Sequence, residues 1–293
     1  MNDQVAVSTS GLGKRIEGRA VLEDITVQLP RGQVVGLVGK NGAGKSTLFD
    51  LLLGFALPGS GSSSIFGEDS RSLTASAKAR IGFVPQQDEL LGQLTGAQQL
   101  ALIATLHRRW NQALIERLAR EWELPLARRI GKLSGGERQK LSTLCALGHE
   151  PDLLVLDEPA ASLDPVARRR FMQEILAIAA QGGRTLVYAS HIVADLERVA
   201  SHLWLLREGR LMWQGELDAL KESVVRVHLR GASDIDPALK LPGQLQGSVQ
   251  GRTAAFTVGG WSAARLLPLR DELGLDVEVE PLGLEDIFLA MHA

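Results

Sequence analysis

Gly39-Lys40-Asn41-Gly42-Ala43-Gly44-Lys45-Ser46-Thr47 fits the pattern G-x-x-x-x-G-K-[ST]. Residues 33–38, just before it, form a short apolar run suited to a buried strand, and Leu48, Leu51 and Leu52 recur after it at helical spacing. Strand, glycine-rich turn and helix in that order let successive backbone N–H groups curl around one anion. The positive N-terminal end of the following helix adds to the attraction. Lys45 offers a charge to the β- and γ-phosphates of a nucleotide, and the Ser46 hydroxyl is a ligand for Mg2+. The bland alternative is a glycine-rich turn with a stray lysine. Matching positions throughout the stretch, in the right strand–turn–helix context, argue against it.

On either side the same texture repeats. Residues 81–84, 153–156 and 185–189 are further short apolar runs bounded by polar or turn residues. Strands alternating with helices predict an α/β fold of the P-loop NTPase type, with a parallel or mixed sheet covered on both faces. Between Gly92 and Glu150 the pattern turns purely helical. Leu100, Ile103 and Leu106 form one stripe, and Leu114, Ile115, Leu118 and Trp122 another, read as core packing of a helical subdomain over about 92–150. Residues 58–64, Pro-Gly-Ser-Gly-Ser-Ser-Ser, read as a turn-rich loop. Residues 203–206 and 210–213, joined across Glu208-Gly209, read as a hairpin. After Lys221 the texture changes: strand candidates at 224–229, 254–258 and 277–279, a polar stretch to about Gly251, and a helical run near 263–273. The reading is therefore a nucleotide-binding domain over 1–221 and a small α/β accessory domain over 222–293.

Composition removes several function classes. The 293 residues carry 32 Lys and Arg against 34 Asp and Glu, a balance that gives no bulk charge for holding nucleic acid or anionic lipid. Aromatic residues are only 4%, too few for a base-stacking platform. Cys145 has no second cysteine to pair with, and the six histidines stand too far apart for a four-ligand metal spacing. The start lacks the basic and then apolar run of a signal peptide, and no stretch reaches roughly 18 uninterrupted apolar residues. The expectation is an intracellular protein without a membrane span of its own.

Two further segments carry chemistry. Residues 153–156 are an apolar strand ending in Asp157-Glu158, which aims Asp157 rigidly towards a metal and leaves Glu158 to polarise an attacking water as general base. An apolar run ending in Asp-Glu is common by itself. Leu133-Ser134-Gly135-Gly136-Glu137-Arg138-Gln139 precedes a helix-period run through Leu141, Leu144 and Cys145. This is a second helix N-terminus able to receive an anion, or simply a serine N-cap with a glycine-rich entry. A chain with one phosphate loop has no local need for a second cradle. The need arises if the second cradle serves the γ-phosphate held by another subunit.

Together the three segments resemble, over about residues 5–220, the ATP-binding subunit of an ABC transporter, with Walker A, the LSGGE-R-Q signature and Walker B in family order. The resemblance implies ATP and Mg2+ as cofactors. It also implies two nucleotides sandwiched between residues 39–47 of one copy and Ser134, Gly135 and Gly136 of the other. Gln86, in Phe83-Val84-Pro85-Gln86, resembles the Q-loop glutamine that touches Mg2+ and senses the membrane partner. Ser162-Leu163-Asp164 resembles the D-loop, and His191 the switch histidine that contacts the γ-phosphate. On this resemblance the catalytic set is Glu158, His191, Gln86 and Asp164, and the metal set Ser46, Gln86 and Asp157. The implied partners are an integral membrane permease subunit and a second ATPase chain, a copy or a paralogue, at the cytoplasmic face of the cell membrane, with no nucleic acid. Pro281-Leu282-Gly283-Leu284-Glu285-Asp286-Ile287-Phe288-Leu289 resembles the close of the extra domain in some exporter ATPases, so an exporter is expected. A non-transport ABC ATPase of DNA repair, chromosomes or ribosomes is the alternative. Long coiled-coil insertions, zinc modules and tandem cassettes, usual there, are missing. One departure stands out: no Phe, Tyr or Trp precedes Phe49, where the family stacks adenine on an aromatic ring. An apolar contact from Leu12 or Ile16 is expected in its place.

Overall fold

The computed structural model describes residues 4–262, 264 and 274–292. The chain divides into two compact units, Met1–Gln214 and Gly215–Ala293.

The first unit opens with strands β1 (Val5–Ile16), β2 (Arg19–Ile25) and β3 (Gln28–Pro30). After β4 (Val34–Val38) and α1 (Lys45–Leu52), strands β5 (Ser60–Ile65) and β6 (Glu68–Asp69) complete a five-stranded sheet in which β1 pairs antiparallel with β2, β3 and β5. Residues 58–64 are thus not a free loop, because 60–65 are a strand. Its small residues are what allow the pairing. Ser62, Ser63 and Ser64 lie opposite Ser10, Thr9 and Ser8, the Ser8 and Ser64 hydroxyls meet at 2.8 Å, and Ser63 Oγ donates to the Leu51 carbonyl at 3.1 Å. A Cβ on Gly61 would fall 2.2 Å from the Gly11 carbonyl oxygen. Tertiary pairing here overrides a weak strand propensity.

The central sheet combines β4 with β7 (Ile81–Val84), β8 (Leu153–Asp157), β9 (Thr185–Ser190), β10 (His202–Arg207) and β11 (Arg210–Glu216), in the order β11-β10-β4-β9-β8-β7. From β10 to β7 every pair is parallel. Strands β8 and β9 are buried along their whole length, as continuous apolar runs covered on both faces require. β10 and β11 join across Glu208 and Gly209, both at positive φ (49° and 77°), the backbone of a tight hairpin turn. The register decides where chemistry can gather: Val38 lies opposite Ser190, and Ala189 opposite Asp157. The carboxyl ends of β4, β9 and β8 therefore deliver residues 39–47, 191 and 158 to one sheet edge, the usual ligand side of such sheets.

Helix α2 (Ala75–Lys78) precedes β7, and three helices follow: α3 (Gly96–Thr105), α4 (Gln112–Glu121) and α5 (Gly135–Leu147). Thr95 caps α3 in a reciprocal box with Gln98, and Asn111 caps α4 through the Leu114 N–H. Ile115, Leu118 and Trp122 are buried as their spacing predicts, with Trp122 against Phe171 of α6 (Pro165–Gln181) at 4.9 Å between ring centres. The other stripe breaks down. Leu100 is buried, but α3 ends at Thr105 and Leu106 is 72% exposed. Helix α7 (Val193–Glu197) lies between β9 and β10.

The second unit contains α8 (Leu217–Ser223), strands β12 (Val224–Arg230), β13 (Gln244–Gln250), β14 (Thr253–Gly259) and β15 (Asp276–Pro281), and α9 (Leu284–Met291). The strands form an antiparallel sheet in the order β13-β14-β12-β15 over a core that includes Val225, Val227, Leu229, Phe256 and Val258. β13 falls inside the stretch read as polar irregular chain. As an edge strand it exposes most of its residues, so polarity hid it. Leu284, Ile287 and Phe288 share the buried face of α9, as their spacing predicts. The helical run expected near 263–273 lies, apart from Ala264, outside the described residues.

Candidate active site

Gly44 opens α1 with φ 104°, and a Cβ there would meet Leu22 Cδ2 at 2.7 Å and the Val21 carbonyl oxygen at 2.9 Å. Only glycine fits that backbone and that gap. No side chain caps α1, so the N–H groups of its first turn stay open towards the loop. Lys45, itself buried, curls back along the loop: Nζ donates to the Gly39 carbonyl at 2.8 Å and the Lys40 carbonyl at 3.4 Å.

Two carboxylates stand opposite. Burial pushes Asp157 above the usual carboxylate range, the Ser46 hydroxyl bond opposes the shift, the negative charge of Glu158 adds to it and Lys45 opposes it. Asp157 Oδ1 has no hydrogen-bond partner. Asp50 is also raised, by its own burial and then by the charge of Asp157. Glu158 is 4% exposed and sits in the left-handed region at φ 51°. Its Oε2 accepts from His191 Nδ1 at 2.8 Å, and its Oε1, without a hydrogen bond, lies 3.7 Å from Lys45 Nζ. Lys45, Ser46, Gln86, Asp157 and Glu158 line one cleft of about 230 Å3 together with Asn41 and Gly44. A buried carboxylate steadied by a histidine, beside an anion-binding loop, is equipped to take a proton from water at a phosphate.

Val21 is the apolar residue lining that cleft. Leu12 is sealed inside the core and Ile16, 48% exposed, does not line the cleft.

None of the cleft-lining residues comes from 134–136. Ser134 instead caps α5: Glu137 N–H donates to Ser134 Oγ at 3.2 Å, while Ser134 N–H donates to Glu137 Oε2 at 2.7 Å. That backbone bond holds the Glu137 carboxyl below its ordinary range.

The family model described as ABC transporter matches residues 22–161. A probable multidrug ABC transporter ATP-binding protein, YbhF of Escherichia coli (strain K12), is 34% identical over 267 residues, which are 86% of this chain and 46% of that protein. The Nod factor export ATP-binding protein I of Burkholderia lata is 31% identical over 288 residues, 95% of this chain and 94% of that protein. The chain belongs to the ABC transporter family. It spans about half the length of YbhF and nearly all of the Nod factor protein. A solved ATP-binding subunit of an ABC transporter superposes with a TM-score of 0.65 at 30% identity, covering 74% of this chain and 92% of that one.

For an ABC transporter chain the remaining expected residues are placed as follows. Gln86 lines the nucleotide-side cleft and also a second one of about 900 Å3, lined by Phe55, Phe83, Leu90 and Ile103. Asp164 does not line the cleft and caps α6, accepting from Val166 N–H at 2.9 Å and Ala167 N–H at 3.0 Å, bonds that lower its pKa. Gly135 and Gly136 pack on the segment leading to it: added Cβ atoms would meet Ser162 Oγ at 3.1 Å and Leu163 Cδ2 at 2.7 Å. Three residues make contacts that the sequence does not announce. Arg168 ties that segment down through the Ala160 and Leu163 carbonyls, Arg138 pairs with Asp88 of the Gln86 loop at 3.1 Å, and Gln139 reaches the Glu158 backbone. Arginines spaced along a helix carry no mark of what they tie, and although Arg138 and Gln139 lie within the 133–139 stretch, its spacing marks a helix entry and not these contacts.

Proposed function

We propose that this chain is the ATP-hydrolysing subunit of an ABC exporter and works as one of a pair at the cytoplasmic face of a membrane. The observation that carries the reading is Glu158, buried at the cleft with one oxygen on His191 and the other unbonded within 3.7 Å of Lys45. Residues 39–47 would hold the phosphates, with Lys45 exchanging the carboxylate for the β- and γ-phosphate oxygens. Glu158 then accepts the proton of the attacking water, and His191 holds it in orientation.

Mg2+ fits the residues present. Asp157 Oδ1 is buried and unpartnered, and Ser46 and Gln86 line the same cleft. Among the described residues no three His, Cys, Asp or Glu form a metal cage, so such an ion would lean on the nucleotide's own oxygens, as Mg2+ commonly does. When bound it would neutralise phosphate charge; Ser46, Gln86 and Asp157 would hold it.

Ser134, Gly135 and Gly136 lie off the cleft of their own subunit, and a second ATPase chain gives that helix end a phosphate to receive. A membrane subunit is the partner for the cleft beside Gln86, where Phe55, Phe83, Leu90 and Ile103 offer apolar contact. The printed names of the relatives, multidrug and Nod factor export, support export as the direction. The test is Glu158→Gln: turnover should fall about a hundredfold or more while ATP still binds and a dimer accumulates with Mg2+. Wild-type turnover, or monomer alone during sedimentation in saturating ATP, would overturn the reading.

A further inference from the structure

Gln139 lies on α5, five residues past Ser134, and is 8% exposed. Its Nε2 donates to the Glu158 carbonyl at 3.3 Å, and its Oε1 accepts from the Ser162 N–H at 3.0 Å. One amide therefore holds both ends of the segment 158–162. That segment needs holding, because Glu158 keeps a left-handed backbone that side-chain-bearing residues disfavour. Its own N–H is tied to the Ala189 carbonyl at 3.1 Å, so the Glu158 carbonyl is the handle by which α5 can reach it. Gly135 and Gly136 sit close on Ser162 and Leu163, which seats the first turn of the same helix on the far end of the segment.

We propose that Gln139 is a positioning residue for hydrolysis, coupling the Ser134 end of α5 to the backbone that aims Glu158. A small shift of α5, as the partner's phosphate is engaged, moves the Glu158 carbonyl and the Ser162 N–H together. Each subunit's general base is then brought into line by the nucleotide of the other. The amide itself exchanges no proton with the reactants. This coupling rests on the reading of Glu158 as base and of 134–136 as a cradle for the partner's nucleotide.

The test is Gln139→Met in the full chain, which fills a similar volume without either hydrogen bond. Turnover should fall about tenfold to a hundredfold, as a misaimed catalytic group typically costs, with ATP affinity within about twofold. The Hill coefficient for ATP should drop towards one. Gln139→Glu adds a readout that a packing role would not move. A protonated carboxyl can donate to the Glu158 carbonyl as the amide does, so its activity relative to wild type should rise as pH falls. A folded Gln139→Met protein with wild-type turnover and Hill coefficient would overturn the proposal. So would a joint loss of ATP affinity, turnover and melting temperature, which would mark Gln139 as packing alone. If instead Glu158→Gln, assayed beside it, turned over like wild type, the fault would lie with the base reading on which the coupling stands.

Discussion

Two glycine-rich turns in this chain each open a helix, and their first turns are built in opposite ways. At α1 the position before the helix is Gly44, left-handed, with no side chain to claim the first N–H groups. At α5 it is Ser134, whose hydroxyl and N–H are both engaged with Glu137. The first end is open and takes an anion as its natural partner. The second satisfies its own cap and needs no ligand to be stable, so a phosphate reaching it adds a contact to a helix that already stands. The glycines differ in kind as well. Gly44 is required by its φ of 104°, whereas Gly135 and Gly136 have ordinary backbones and are required by what presses on them, Ser162 and Leu163. The same composition thus serves conformation at one site and close packing at the other.

The sharpest way to break that contrast is Lys45→Ala. It removes the ammonium that lies 3.7 Å from Glu158, and with it the charge meant for the phosphates. Turnover should vanish and ATP affinity fall at least about tenfold, read by nucleotide binding and phosphate release. Normal ATPase activity would sink the phosphate-loop assignment. A paired glycine test sharpens it. Gly44→Ala forces a Cβ into a left-handed residue 2.9 Å from the Val21 carbonyl, so nucleotide binding itself should fail. Gly136→Ala presses on the end of the Leu163 side chain at 2.7 Å, which can yield. Its ATP affinity should stay within about twofold while turnover drops about tenfold, because the segment leading from Glu158 is displaced. Equal effects of the two substitutions on binding would erase the distinction between open and packed helix ends.

A smaller effect concerns Asp157. Its pKa is raised in the folded chain, chiefly by burial, so the folded state binds that proton more tightly than the unfolded one. The resulting stability is present at low pH and is lost as pH rises from the ordinary carboxylate value through the raised one. At neutral pH, without metal, the ionised group is therefore a cost. Asp157→Asn should raise the melting temperature near pH 7, with the gain shrinking as pH falls towards the ordinary carboxylate range. Addition of ATP with Mg2+ should then stabilise wild type more than the variant. A variant that melts lower than wild type near pH 7 would contradict the burial argument.

What the sequence disclosed follows from where each signal sits. The phosphate loop, Asp157-Glu158 and the Ser134 turn are runs of neighbours whose spacing is itself the chemistry, so they could be read from one line of letters. The β1–β5 pairing could not, because serines and glycines at 60–64 become a strand only opposite residues 8–13, some fifty positions earlier. β13 is hidden by its polar edge, and Val21 touches the cleft through a fold that no local pattern announces. Gln139 is the intermediate case: it closes the 133–139 motif and so is legible as part of it, but its reach to the Glu158 carbonyl depends on α5 meeting the residue that follows β8.

The smallest expected effect is at the far end of the chain. Both helix ends, Glu158, Gln86 and His191 all precede residue 192, in a unit whose core cluster runs from Ala6 to Leu206. The second unit has a separate core centred on Val225, Val227, Leu229 and Phe256. Units with their own cores can fold separately. A chain shortened to end at Ser223 keeps α8 and loses only β12 onward. Its affinity for ATP should equal that of the full chain within about twofold, since no phosphate-facing group is removed. Titration with a fluorescent ATP analogue, beside circular dichroism to establish folding, measures this directly. A folded chain ending at Ser223 that no longer bound ATP would mean that the open helix end at α1 depends on the second unit, and the comparison of the two turns would then have to include it.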